Sequence, residues 1–261
     1  PSFDEPAVAL ALGVLVAGFA QLLFQVPALA GIGLVPRPRW APRHEGVRRI
    51  MVLMVPALFG VSVSQINLLL DTVLASLLPT GSVSWLYYSD RLTELPLGVF
   101  AIAIATVILP TLSGQRARAD DPAFASTLSW AIRSVLLIAI PATAALAVLA
   151  EPLLATLFQY GAFSGDDRAM AAASLRAYTL GLGAFMLVKA LAPGFYARED
   201  MRTPVRIGII AMVANMVLNV AFVFPLMWWL NLGHVGLALA TSFSAWLNAL
   251  LLFRGLRRDA G

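Results

Sequence analysis

An all-α bundle of seven membrane-spanning helices is the fold class this sequence predicts, and three observations predict it. The 261 residues are 60% hydrophobic and 12% charged, where a soluble domain carries about 25% charged residues. The apolar residues fall into seven runs long enough to cross a hydrocarbon core, which takes about 20 residues. The arginines gather in every second connection between those runs, as the positive-inside rule requires of a polytopic protein.

The runs cover roughly 6–30, 50–78, 82–110, 124–150, 168–192, 204–229 and 233–254. The first leads into VPRPRWAPRHEGVRR, where five arginines (Arg37, Arg39, Arg43, Arg48, Arg49) and three prolines rule out a continuous helix. The second contains Pro56 and a polar patch, SVSQINLLLD, and leaves through the short uncharged LLPTGS. The third ends at Pro110, ahead of SGQRARADD. The fourth contains Pro141 and stops at Glu151-Pro152. The connection LLATLFQYGAFSGDD then predicts a short interfacial helix and a turn. The fifth run carries Lys189 near its end and leads into APGFYAREDMRTPVR. The sixth is expected to start on a Thr203 cap ahead of a first-turn Pro204, and to end at an interfacial Trp228-Trp229 pair. The seventh closes on Arg254, Arg257 and Arg258.

Basic connections follow runs one, three, five and seven, which predicts an outside N-terminus and a cytoplasmic C-terminus. An odd number of spans starting outside, with no initiator Met, predicts an internal fragment. Net charge is +4 with a pI near 10.0, but arginines concentrated in the short connections between apolar runs argue for topology and against nucleic acid. With no cysteine, thiol catalysis and Cys-ligated metals are excluded. No phosphate loop, Ser–His–acid set or zincin helix is present, so no enzyme is expected. Arg133 and Arg176, nearer span ends, are read as snorkelling.

Two polar constellations remain. Asp90, Arg91 and Glu94 lie within five residues inside the third run, although one charge near a bilayer centre costs at least about 2.5–3.5 kcal/mol. Helical spacing sets Ser84, Tyr87 or Tyr88, Arg91, Glu94 or Leu95, and Gly98 on one side. They form either an ion-pair cluster pinning two helices, or a cavity wall on which Arg91 meets an anionic substrate through its bidentate fork. Pro96 and Gly98 follow, so the helix can bend there. The second set joins Asn67 and Asp71 on run two with Asn215 and Asn219 on run six, each pair spaced i, i+4, with Thr241 on run seven. Amide and carboxylate oxygens suit a hard cation such as sodium, and they equally suit hydrogen bonds between helices.

The segments GVSVSQINLLLDTVLAS, GSVSWLYYSDRLTELPLGVFAIAIATVILPTLS, LFQYGAF and VKALAPGFYAREDMRTPVRI resemble the MurJ (MviN) family of lipid II flippases, of the multidrug, oligosaccharidyl-lipid and polysaccharide exporter superfamily. The resemblance covers essentially the whole chain and implies the sixth to twelfth of fourteen spans. Residues 1–34 then match the last helix of an N-lobe, 35–49 a basic cytoplasmic loop, and 50–261 a six-helix C-lobe. It implies one lobe of a two-lobed alternating-access carrier that moves lipid II across the bacterial inner membrane, with the absent N-lobe helices as partners. Substrate contacts are carried onto Arg91, Glu94, Asp90, Ser84 and Tyr88, and a sodium site onto Asp71, Asn67, Asn215, Asn219 and Thr241. No other cofactor is expected. The competing expectations are a polysaccharide-lipid flippase or a drug–cation antiporter of the same superfamily, and a non-transporting scaffold for cell-wall assembly.

Overall fold

The structure is a computed structural model that describes residues 6–33 and 44–258. Arg37, Arg39 and Arg43 of the basic loop lie outside the described residues. The described elements are helices α1 (Pro6–Gly31), α2 (Glu45–Ser76), α3 (Ser82–Pro96), a π turn (Leu97–Ala101), α4 (Ile102–Ala117), α5 (Asp121–Val148), α6 (Ala150–Phe158), α7 (Gly165–Tyr196), α8 (Arg202–Leu230) and α9 (Gly233–Arg258). Among the described residues six stretches are long and apolar enough to cross a membrane: Ala11–Gly31, Ser82–Ala117, and α5, α7, α8 and α9. α2 covers the second apolar run with 32 residues. The connection after the fourth run folds as the short α6 and a turn, as its composition predicts.

The chain divides into two compact units, Pro1–Arg49 and Ile50–Gly261. Within the first, α1 exposes almost its whole apolar surface, up to Phe24. The second is organised around α7, whose 17 buried residues include Gly181, Leu182, Gly183, Ala184 and Met186. Small residues let its backbone approach its neighbours, the usual means of packing helices where lipid removes the hydrophobic drive. A Cβ on Gly181 would stand 2.7 Å from the Cα of Ser242 on α9. Ser242 Oγ donates to the Ala177 carbonyl at 2.9 Å, one turn away on α7. Gly181→Val therefore forces the two helices apart, at a cost of about 1–3 kcal/mol. In thermal unfolding of the detergent-solubilised full-length protein it lowers the midpoint. Gly208→Ala, where a Cβ meets nothing within 4 Å, does not lower the midpoint.

Two boundaries differ from the sequence reading. The third run does not stop at Pro110: α4 continues through it to Ala117, because Pro removes one hydrogen bond while the packed flanking turns hold the helix. Thr203 is not the cap of α8. Asp200 Oδ1 accepts from the backbone N–H groups of Arg202 and Thr203, each at 3.0 Å, so the carboxylate three residues earlier satisfies the first turn. The π turn falls directly after Pro96, where the Ile102 N–H reaches back five residues to the Leu97 carbonyl. Proline disrupts the regular ladder there, and the extra residue is absorbed in one wide turn.

Candidate functional site

α3 has two unlike sides. Ser82, Leu86, Ser89, Leu92 and Thr93 are buried. Ser84, Tyr87, Arg91, Glu94 and Gly98 are exposed. The buried side is fastened by polar contacts as well as by packing. Ser89 Oγ lies 2.7 Å from the Ala171 carbonyl on α7, and Trp85 Nε1 donates to Asp167 Oδ1 at 2.7 Å. Asp167 also closes a capping box with Ser164 at the start of α7, and His234 of α9 meets the Trp85 ring edge-on at 4.8 Å. These contacts fix how α3 is rotated about its axis, and so which residues it turns outward.

On the outward side, Arg91 Nη1 pairs with Glu94 Oε2 at 2.6 Å. Its guanidinium also sits 4.8 Å over the Tyr87 ring. The two charged side chains stay about half exposed, at 52% and 49%, so the pair keeps donors free for an incoming anion. Ser84 stands two turns earlier on the same side. Asp90 is half-buried on the flank and takes no part in that ion pair. Tyr88 turns the other way, packing at 4.7 Å on Phe158 and 5.2 Å on Phe163. Of the two tyrosines the spacing left open, Tyr87 is the one beside Arg91.

The second constellation is drawn together by α2, α8 and α9. Asn219 Nδ2 donates to Asp71 Oδ1 at 2.7 Å, and Asn67 Nδ2 to Asp71 Oδ2 at 3.2 Å. Asn215 stands beside them: oriented so that both ends of its amide are satisfied, its Nδ2 donates to Asn67 Oδ1 and Asp71 Oδ1 at 3.2 Å and its Oδ1 accepts from the Thr241 N–H at 3.2 Å. Ser244 joins at 3.5 Å from Asn215. It was not among the residues picked from sequence, and the available signal was its i, i+3 spacing from Thr241. Asn215 and Asn219 are buried, each 1% exposed, and Asn219 Oδ1 has no hydrogen-bond partner. One carboxylate, several amide and hydroxyl oxygens and an orphaned buried acceptor fit a monovalent hard cation. Among the described residues no group of three or more His, Cys, Asp or Glu side chains gathers as a transition-metal site would.

The family model for the lipid II flippase MurJ matches residues 1–261. The chain is 56% identical over 256 residues to the "Probable lipid II flippase MurJ" of Vibrio cholerae, covering 98% of this chain and 48% of that protein. It is 43% identical over 262 residues to the lipid II flippase MurJ of Burkholderia cenocepacia, covering 99% and 50%. It thus spans about half the length of these relatives. A solved lipid II flippase MurJ in an inward closed conformation superposes with a TM-score of 0.70 at 27% identity, over 87% of this chain and 47% of that one. An outward-facing multidrug MATE transporter of the MOP superfamily shares the fold, with a TM-score of 0.64 at 19% identity over 80% and 45%. This multi-pass membrane chain belongs to the lipid II flippase MurJ family.

Proposed function

We propose that the chain supplies one lobe and one further helix of a lipid II flippase, working by alternating access in the bacterial cytoplasmic membrane. The observation that carries this reading is the outward side of α3: an Arg91–Glu94 pair over Tyr87, half exposed on a helix apolar enough to span a bilayer. A charged pair on such a side needs a watery chamber or an anionic ligand opposite it. Planar guanidinium donors suit a pyrophosphate. Arg91 would bind the phosphates and Glu94 would hold the guanidinium in line. Asp90, Ser84 and Tyr87 would contact the sugar–peptide head, with Tyr88 supporting from behind. The polyprenyl tail would stay in lipid. No bond is made or broken in this scheme, so the protein is a carrier and not an enzyme.

The second chamber wall would come from helices matching the other half of the relatives' length. Charge asymmetry between connections supports an outside start and a cytoplasmic end for the chain. Asp71, Asn67, Asn215, Asn219 and Thr241 would hold sodium, which supplies a positive charge that draws α2, α8 and α9 together. An ion can bias two conformations only by binding one better than the other.

The test is reconstitution of the full-length protein in vesicles, with lipid II, an O-antigen-type lipid and a cationic drug offered in parallel. Movement of lipid II alone is the expected result. Movement of the drug or the polysaccharide lipid in its place transfers the protein to another branch of the superfamily, and movement of none makes it a scaffold.

A further inference from the structure

Away from both constellations, the end of the bundle where α4, α5 and α9 carry their arginines holds a cavity of about 680 Å³. Arg116, Arg133, Arg198 and Arg257 line it, against one acid, Asp121. Its other walls are largely apolar, from Phe124, Leu128 and Leu256 among others. A slot of about 180 Å³ adjoins it, lined by Leu187, Leu191, Trp246 and Leu250. Ile132 and Phe253 line both, so chamber and slot adjoin along α5 and α9. None of these residues belongs to the outward side of α3 or to the Asp71 cluster.

We propose that chamber and slot form one binding site for an anionic phospholipid of the bilayer, the phosphate among Arg116, Arg133 and Arg257 and an acyl chain in the slot. Three features favour this occupant. First, basic pockets between membrane helices select anionic head groups, and the planar guanidinium matches phosphate oxygens two at a time. Second, aromatic faces steady two of the cations: Arg257 lies 5.7 Å over Phe253, and Arg198 lies 4.8 Å over Phe124. Third, Arg133 sits 12 residues beyond the first residue of α5, about 18 Å along the helix. It is exposed, and makes no ion pair among the described residues. Its exposed guanidinium donors can meet an anion, and a phospholipid phosphate provides one. Arg116 is already paired with Asp121 at 3.2 Å, so Arg133 and Arg257 carry most of the selectivity. A free phosphate would leave the slot empty, whereas an acyl chain fills it.

The experiment is native mass spectrometry of the full-length protein titrated with phosphatidylglycerol, phosphatidylcholine and undecaprenyl diphosphate. Wild-type protein retains phosphatidylglycerol over phosphatidylcholine. The Arg133→Ala/Arg257→Ala variant loses that preference by at least about tenfold, the scale of two lost charge-assisted contacts. Leu250→Trp, which fills the slot and leaves every arginine in place, lowers retention as well, so the outcome does not hang on one variant folding. Equal retention of the two phospholipids by wild type, or unchanged retention by both variants, overturns the site. Displacement of phosphatidylglycerol by undecaprenyl diphosphate at equal concentration assigns the pocket to the substrate and overturns the phospholipid reading. The phosphatidylglycerol and phosphatidylcholine results are independent of whether lipid II is the transported molecule.

Discussion

Arg91→Ala in the full-length protein is expected to lower lipid II translocation by about tenfold to a hundredfold, the range for losing hydrogen bonds to a charged group. Membrane insertion and thermal midpoint should not move. The separation of the two readouts follows from geometry. Arg91 lies on the outward side of α3, half exposed, and among the described residues its ion pair and ring contact are with Glu94 and Tyr87 of its own helix. Its removal takes nothing from the packing of α3 on α7, which rests on Ser89, Leu92 and Trp85. Arg91→Lys keeps the charge but loses the planar fork, so it should recover only part of the rate. A drop in midpoint matching the drop in flipping would instead mean that the ion pair merely holds the helix in shape. Wild-type flipping by the alanine variant would remove the cavity-arginine mechanism.

The second large effect is expected at Asp71. Sodium should raise the thermal midpoint of the wild-type full-length protein relative to potassium, and Asp71→Asn should abolish the difference. Asp71 is the only carboxylate of its cluster, half-buried and held by Asn219 and Asn67. At 4 Å and an effective dielectric near 20, opposite unit charges attract by about 4 kcal/mol. Even after the cost of stripping water from both, loss of the only charged ligand should weaken binding at least about tenfold. The asparagine is nearly the same size, so packing of α2 on α8 survives. A sodium-dependent shift that persists in Asp71→Asn would place the ion elsewhere. No shift in wild type would leave the cluster as a hydrogen-bonded tie between helices.

The apolar runs, the alternating arginine loops and the short helix of α6 were legible in the sequence, because cost in lipid is written residue by residue and needs no knowledge of neighbours. The i, i+4 spacing of Asn67 with Asp71, and of Asn215 with Asn219, likewise put each pair on one helix face before any fold was known. Tertiary structure decided the rest. The rotation of α3, locked by Trp85 on Asp167 and Ser89 on Ala171, turns Tyr87 toward Arg91 and Tyr88 into the aromatic cluster, a choice that spacing alone left open. The first free N–H groups of α8 are satisfied by Asp200 and not by Thr203, because the loop's path sets which oxygen faces them. The arginine-lined chamber draws Arg116, Arg133, Arg198 and Arg257 from four different stretches of chain. Each reads singly as a loop or snorkelling cation; only packing makes them neighbours. Burial and local spacing are properties of a stretch, whereas the direction of a side chain depends on every helix that touches its own.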